Sequence, residues 1–265
     1  MRLSLFALLD QWRAPAPDPR KVAWIGKQDY AHRGLHRAGV LENSLGAFEA
    51  AIGRGLGIEC DIQRSSDGQA MVFHDSELER LTERIGSIVR FSAAQLGQIS
   101  LRGGCGTIPT LREVLALIAG RVPLLIEIKT RREQGVAPLC LAVRRVLEGY
   151  TGCHAVMSFD PRVARWFFLH SPHTVRGLVL SENGRRGGAG MLRRRGALWH
   201  ARPDFLAYDI RDLPSRFAAG QRNRGLPITT WTVRSAEERE RAVKNADAAI
   251  AEAEGVAGVA NETGL

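Results

Sequence analysis

The chain has 265 residues, 45% of them hydrophobic and 25% charged, which is the composition of a globular protein with one large domain or two small ones. Its formal net charge of +9 favours anionic partners, such as phosphate-bearing molecules, nucleic acid or an acidic membrane surface. No uninterrupted apolar run approaches the length needed to span a bilayer, which excludes a polytopic membrane protein.

Residues 1–28 precede the regular alternation of the chain. An apolar run over residues 3–9 ends at Asp10, and Pro15, Pro17 and Pro19 follow. This pattern predicts a short amphipathic leader helix and a Pro-rich connector, and the run is too short for a confident secretion signal or a membrane span. We therefore expect no stable membrane insertion, whereas peripheral contact with a membrane surface is left open.

The cysteines and the basic residues indicate the environment and the partners. The four cysteines contain no Cys-x-x-Cys pair, so zinc-ribbon and thioredoxin-type chemistry are not indicated, and this usage suits a reducing cytoplasm. The basic residues are scattered, and their densest runs, at 185–186 and 193–195, are more typical of a solvated basic face than of a nucleic-acid-binding surface. We therefore expect a cytoplasmic protein with no nucleic-acid partner.

From residue 29 onwards, strand-like and helix-like segments alternate. Strands are predicted at 30–34, 57–63, 123–129, 155–159, 177–180, 205–210, 227–233 and 248–251, and helices at 42–52, 109–120, 136–147, 160–170, 190–200, 213–223 and 235–244. This alternation indicates an α/β fold with a parallel sheet, and the number of strands favours a (β/α)8 TIM barrel over an open doubly wound sheet. No Gly-x-Gly-x-x-Gly motif follows the first strand, which weakens the dinucleotide-binding alternative.

Capping signals bound two of the helices, and one long region lacks the alternation. Thr110 with Glu113, and Ser235 with Glu238, predict capping boxes at two helix starts. Residues 75–108 are predicted to be irregular, with short helical pieces at 76–81 and 92–99 and a Gly-rich end.

Two carboxylates, Glu59 and Asp61, lie two residues apart in the predicted strand 57–63. Because side chains i and i+2 of a strand point to the same face, these carboxylates converge. Adjacent anions repel each other unless a cation or a proton lies between them, so a divalent metal bound by oxygen ligands explains the pair. The alternative is two solvated carboxylates on the polar face of an amphipathic strand.

Other polar residues recur at or just beyond the predicted strand ends, where the active groups of a TIM barrel gather. They are His32, Arg33, His74, Glu127, Lys129, Ser158, Asp209 and Trp231. A single buried histidine is usually only hydrogen-bonded, but the convergence of these residues on one rim indicates a site. Arg33 can face that site together with His32 only if the first strand ends there, and Gly34 favours such an end.

The carboxylates, histidines and basic side chains of this group suit complementary roles in one site. Glu59, Asp61 and Glu127 suit one hard divalent cation, because carboxylate oxygens are its preferred ligands. Two histidines suit general-base and general-acid roles near neutral pH. Basic side chains at Arg33 and Lys129 suit phosphate oxygens and the charge of a phosphorane-like transition state.

A series of short motifs occurs in a fixed order over about residues 30 to 235. They are Ala31-His32-Arg33-Gly34, Glu42-Asn43-Ser44, Glu59-Cys60-Asp61-Ile62, Asp67-Gly68, His74-Asp75, Ile108-Pro109-Thr110-Leu111, Ile126-Glu127-Ile128-Lys129, Ser158-Phe159 and Trp231-Thr232-Val233. Together they make the chain resemble the glycerophosphodiester phosphodiesterase family. The resemblance implies a TIM barrel over residues 29–255 with a small inserted subdomain at about 75–108, which leaves a leader at 1–28 and a loose tail at 256–265.

The resemblance also implies roles for individual residues. His32 and His74 match the acid/base pair of the family, and Glu59, Asp61 and Glu127 match its ligands for one divalent cation, Mg²⁺ or Ca²⁺. Further matched positions contact phosphate (Arg33 and Lys129), border the site (Glu42) and form an aromatic substrate wall (Trp231).

The reaction that the resemblance implies is the hydrolysis of a small-molecule glycerophosphodiester to an alcohol and sn-glycerol 3-phosphate, in phospholipid degradation and glycerol metabolism. A neighbouring glycerol hydroxyl is expected to attack phosphorus first, which gives a cyclic phosphate. Two departures concern the far edge of the barrel. Arg234 stands where many members carry Asn, and residues 249–255 lack the Thr-Asp that follows the last strand in many relatives.

Two other functions compete with this one. A lysophospholipid-cleaving enzyme of the phospholipase D type, on the same fold, would need an apolar groove for the acyl chain, and Trp12, Trp166 and Trp199 are candidates to line it. A non-catalytic anion-binding protein would use the basic net charge without the carboxylates. The leaving alcohol, the cellular metal and the oligomeric state do not follow from the sequence.

Overall fold

The computed structural model describes residues 15–131, 135–184 and 186–257. The predicted leader helix at the start of the chain and most of the predicted tail after residue 255 lie outside these ranges. Within them, no helix is long and apolar enough to cross a membrane.

Eight parallel strands form a closed barrel. They are β1 (Tyr30–Ala31), β2 (Gly57–Arg64), β4 (Leu124–Ile128), β5 (His154–Ser158), β6 (Val175–Leu180), β7 (Phe205–Asp209), β8 (Ile228–Val233) and β9 (Ala248–Ala251). A short strand, β3 (Ala70–Val72), pairs antiparallel with the carboxyl end of β2. The first strand pairs with both β2 and β9, so the sheet closes on itself and the predicted (β/α)8 TIM barrel is confirmed, including the edge at the atypical C-terminal segment.

Within the described residues, the helices alternate with the strands as predicted, apart from one short helix before β1 and another in the irregular region after β3. They are α1 (Pro19–Val22), α2 (Leu45–Gly53), α3 (Ala93–Leu96), α4 (Leu111–Ile118), α5 (Ala137–Leu147), α6 (Pro161–His170), α7 (Gly188–Ala201), α8 (Arg216–Arg222) and α9 (Ala236–Asn245).

The capping predictions have different outcomes. Thr110 and Glu113 form the predicted capping box at α4. Ser235 caps α9, but the carboxylate of Glu238 accepts the backbone N–H of Arg234 instead of completing a box with Ser235.

The region between β3 and α4 has its own apolar cluster. Its buried members include Phe73, Leu78, Ile88, Leu96 and Ile108. The predicted helical piece at 92–99 is present as α3, whereas the one at 76–81 is wrong, because that segment forms turns and an isolated bridge. The backbone N–H of Leu78 donates to Gly86 and that of Ile88 donates to Ser76, so these turns fold back on each other. This small layer lies beside β2, next to the loop that carries His74.

Alternation along the strands separates the two faces of the barrel. Leu125, Met157, Phe205 and Ile250 belong to one buried cluster that fills the interior, while their neighbours in the strands pack outwards against the helices. The short helix α1 lies over the amino ends of the strands, since Lys21 Nζ is 2.8 Å from Asp204 just before β7. The barrel interior is therefore apolar towards the amino ends of the strands, and the polar side chains lie at the carboxyl ends.

A glycine on β6 is required by an aromatic ring of the interior. A Cβ atom at Gly177 would lie 2.3 Å from the fully buried ring of Phe205 on the adjacent strand. We predict that Gly177→Ala lowers the free energy of unfolding by about 1–3 kcal/mol, as overpacked core positions do. Chemical denaturation measures the effect.

Gly196 on α7 is the matched control, because no atom would lie within 4 Å of a Cβ there. Alanine is favoured over glycine inside a helix, so Gly196→Ala should leave stability unchanged or raise it slightly. Equal stability of the two variants would contradict the close packing of Phe205 over Gly177.

Candidate active site

The first strand ends where the sequence analysis required. β1 stops at Ala31, and the backbone turns into the left-handed region at Arg33 (φ 55°) and Gly34 (φ 80°). A Cβ at Gly34 would also meet Ala47 at 2.8 Å, so only glycine fits this turn. Because the chain leaves the sheet here, the side chains of His32 and Arg33 both reach the carboxyl end of the barrel.

Three carboxylates meet at the top of the barrel interior. Glu59 and Asp61 lie on the inward face of β2, and Glu127 lies on β4, directly opposite Asp61 in the strand register. All three are buried, and a carboxylate oxygen from each lies within 4.8 Å of those of the others. They form a set of hard oxygen ligands that could hold a metal ion, as the spacing of Glu59 and Asp61 predicts.

Two cations flank this cluster. Lys129 Nζ lies 2.8 Å from Asp61 Oδ1 and 2.5 Å from Glu127 Oε1. Arg33 Nε is 3.1 Å from Asp61 Oδ2, and the Arg33 backbone N–H donates to Glu59 Oε2 at 3.0 Å. Each carboxylate thus has a cationic or N–H partner, which reduces the cost of its burial.

Neutral donors and a further carboxylate complete the lining. Asn43 Nδ2 donates to Asp61 Oδ2 at 2.9 Å, and its Oδ1 accepts the Asp61 backbone N–H. Glu42 accepts from Arg33 Nη1 at 2.8 Å and also pairs with Arg80, so it borders the site as predicted from the motif.

The electrostatics of the three carboxylates differ. Burial raises the pKa of Glu59 well above its usual value, and the nearby charges of Asp61 and Glu127 add to this effect. Burial likewise raises the pKa of Glu127. For Asp61 burial acts in the same direction, but the cations of Lys129 and Arg33 outweigh it and lower the pKa to about 2. A further positive charge would therefore stabilise the ionised forms of Glu59 and Glu127.

The two histidines each bind a carboxylate through Nδ1. His74, in the loop after β3, is 2.7 Å from Asp75 Oδ1, and Asp75 Oδ2 accepts from Arg80 Nε at 2.5 Å. His32 Nδ1 forms a short contact with Glu252 Oε2. Burial lowers the pKa of both imidazoles below the usual histidine value.

Trp231 lies on β8 at the rim, half-buried. Its Nε1 donates to the Ala207 carbonyl at 3.0 Å, and its ring meets that of Phe159 edge-on, with 5.2 Å between centroids. Phe159 also lines a cleft of about 900 Å³ that includes Thr130, next to Lys129.

The structure thus brings seven of the predicted site residues close together: His32, Arg33, Glu59, Asp61, His74, Glu127 and Lys129. Trp231 lies near the carboxyl end of β8, and its described contacts are with Phe159 and the Ala207 carbonyl. Two other polar residues at strand ends have local partners. Ser158 donates to the Ile128 carbonyl at 2.7 Å, and Asp209 pairs with Arg211 at 2.6 Å.

Sequence reasoning missed the contacts of Glu252 with His32, His36 and Arg234. Glu252 directly follows β9, so its position after a barrel strand was the available signal.

Comparisons with known proteins agree with this geometry. The model of the glycerophosphoryl diester phosphodiesterase family matches residues 32–261. A glycerophosphodiester phosphodiesterase of Caldanaerobacter subterraneus is 27% identical over 81% of this chain and 88% of its own length. One from Bacillus altitudinis is 37% identical, but that match spans only 38% of this chain and 44% of the relative.

Solved structures show the same fold. A glycerophosphodiester phosphodiesterase from Thermotoga maritima has a TM-score of 0.69 at 26% identity, covering 84% of this chain and 94% of that one. A phosphodiesterase from Oleispira antarctica, solved with the product sn-glycerol-3-phosphate, has a TM-score of 0.73 at 24% identity and covers 84% of this chain and 92% of that one. The family model covers most of the chain, so this protein belongs to the glycerophosphoryl diester phosphodiesterase family, whose members are phosphoric diester hydrolases.

Proposed function

We propose that this protein hydrolyses glycerophosphodiesters to an alcohol and sn-glycerol 3-phosphate, in phospholipid degradation and glycerol metabolism. The observation that carries the proposal is the meeting, on one rim, of a buried tricarboxylate cluster, two flanking cations and two imidazoles. The product bound in the Oleispira antarctica enzyme supports the glycerol 3-phosphate half of the substrate.

The metal ligands in this proposal are Glu59, Asp61 and Glu127, and the ion is Mg²⁺ or Ca²⁺. The donor set fits such an ion, because it consists of carboxylate oxygens and contains more negative charge than Lys129 and Arg33 balance. When bound, the cation supplies charge neutralisation at the phosphoryl oxygens.

The cations and the aromatic wall position the substrate. Arg33 and Lys129 are the phosphate-binding residues, because their charged groups already lie beside the carboxylates at the bottom of the site. Trp231 and Phe159 form one wall, and the cleft beside them gives the leaving alcohol room to depart.

In this proposal, His32 and His74 transfer the protons. One imidazole accepts the proton of a glycerol hydroxyl as that oxygen bonds to phosphorus, and the other gives a proton to the alcohol oxygen as its bond to phosphorus breaks. Water then opens the resulting cyclic phosphate with the two roles exchanged. In both histidines Nδ1 is held by a carboxylate, which leaves Nε2 for these transfers.

We expect activity to depend on a divalent cation. Glycerol 3-phosphate release from glycerophosphocholine or glycerophosphoethanolamine should stop with EDTA and return with Mg²⁺ or Ca²⁺. Glu59→Ala should lose cation binding in calorimetry as well as turnover, because it removes one of three ligands. If no cation supports glycerol 3-phosphate release, lysophospholipids are the next substrates to assay. A non-catalytic anion-binding protein would instead keep or gain affinity for anions in Glu59→Ala.

His32→Ala and His74→Ala should each lower kcat by about 10²–10⁴-fold, the range that general acid–base catalysis contributes. Their thermal unfolding midpoints should stay close to that of the wild type, since both side chains lie on the rim. The exposed His173 provides the control, because it lies just before β6, at the amino ends of the strands and opposite the proposed site. Wild-type turnover in His32→Ala would remove this residue from the mechanism.

Lys129→Met should lower kcat by about 10²-fold or more, as the loss of other electrostatic stabilisers does. Methionine has a similar length but no charge, so the variant separates electrostatics from packing. Lys244→Met on the exposed face of α9 controls for the loss of one positive charge elsewhere. A folded Lys129→Met enzyme with unchanged kcat would contradict a phosphate-binding role.

A further inference from the structure

We propose that Glu252 is a positioning residue that holds the His32 ring in the orientation and tautomer needed for proton transfer, and that Arg234 holds Glu252 in place. This inference rests on the proposed acid–base role of His32. Nothing in the sequence motifs assigns either residue a function.

The backbone fixes the two partners relative to each other. The His32 N–H donates to the Ala251 carbonyl at 2.9 Å, and the Glu252 N–H donates to the Val233 carbonyl at 3.0 Å. His32 and Glu252 therefore leave the barrel at the same level, from the strands β1 and β9 whose pairing closes it. Their contact joins residues that are 220 positions apart.

Each oxygen of the Glu252 carboxylate has its own partners. Oε2 contacts His32 Nδ1 and lies 3.4 Å from His36 Nε2, and Oε1 accepts from Arg234 Nε at 2.6 Å. The side chain is only 17% exposed, so these groups replace most of its water. A carboxylate held at both oxygens cannot rotate without losing a charge-assisted hydrogen bond.

The protonation state follows from these partners. Burial would raise the pKa of Glu252, but the hydrogen bonds from His32 and Arg234, with His36 close by, hold it well below the usual value. An ionised carboxylate only accepts hydrogen bonds, so Nδ1 of His32 must carry a proton. The lone pair of the neutral ring is then on Nε2, the nitrogen that faces away from Glu252.

The second histidine of the site shows the same construction. His74 Nδ1 binds Asp75, and Asp75 in turn binds Arg80. Each imidazole thus pairs through Nδ1 with a carboxylate whose other oxygen is held by an arginine. The difference is that Asp75 is the next residue in the chain, whereas Glu252 follows the last strand of the barrel and is 220 positions from His32 in the sequence.

The test compares Glu252→Gln and Glu252→Asp with the wild type. Glutamine keeps the shape but can donate to Nδ1 and so stabilise the wrong tautomer, and we expect kcat to fall by about 10²-fold with little change in KM. Aspartate keeps the charge and should recover part of that loss. Glu237→Gln on α9 is the control, because Glu237 is exposed and pairs with Arg241 away from the site.

Two further readouts separate positioning from a structural role. In the His32→Ala background, Glu252→Gln should lower kcat no further, because Glu252 acts through the His32 ring. Nitrogen-15 NMR of the imidazole should show the Nδ1–H form of His32 in the wild type and a shifted or mixed tautomer in Glu252→Gln, with the His32→Ala spectrum identifying the signal.

The outcomes are distinguishable. Wild-type kcat in Glu252→Gln, together with an inactive His32→Ala, would overturn this inference and leave the proposed function intact. An active His32→Ala would instead overturn the proposed role of His32. If thermal unfolding shows that Glu252→Gln does not fold, Arg234→Gln replaces it as the test. This variant keeps Glu252 but removes the arginine that holds it, and it should lower kcat by about tenfold. Unchanged kcat in a folded Arg234→Gln would count against the proposal.

Discussion

The balance of buried charge around Asp61 is the constraint on which the site depends. Each ion removed from water costs several kcal/mol, and this site removes three carboxylates and two cations within a few ångströms. Asp61 remains ionised because Lys129 and Arg33 contact it on both sides, whereas Glu59 and Glu127 are less well compensated. The carboxylates therefore carry negative charge that the two cations do not fully balance, and an added cation would balance it. This charge balance is a physical reason for proposing the reaction at the carboxyl ends of the strands and not in the apolar interior of the barrel.

The barrel makes this concentration of charge tolerable. Leu125, Met157, Phe205 and Ile250 fill the interior with apolar side chains, so the cost of the polar layer is confined to the carboxyl ends of the strands. Closure also has a chemical consequence. When β1 pairs with β9, the histidine that follows the first strand is placed beside the glutamate that follows the last one. The closing edge of the barrel is thus in direct contact with a proposed catalytic histidine.

Much of the fold was predictable because its signals are local. Alternating strands and helices, the capping residues at Thr110 and the spacing of Glu59 and Asp61 depend on neighbours in the chain, and the structure agrees with each of them. The region between β3 and α4 was harder to predict. Its segment at 76–81 forms turns instead of a helix, because its backbone bonds are made to Gly86 and to the strand-like segment near Ser87. Long-range partners overrode local propensity there.

The sequence by itself determined the barrel, the family and the residues that converge at its rim, because strand parity and motif order are properties of the chain. Only the tertiary structure decided which groups hold those residues. The Asp75 partner of His74 is adjacent in sequence, whereas the Glu252 partner of His32 lies 220 positions away. No local pattern encodes that second pairing, because it exists only once the register of eight strands has closed the sheet.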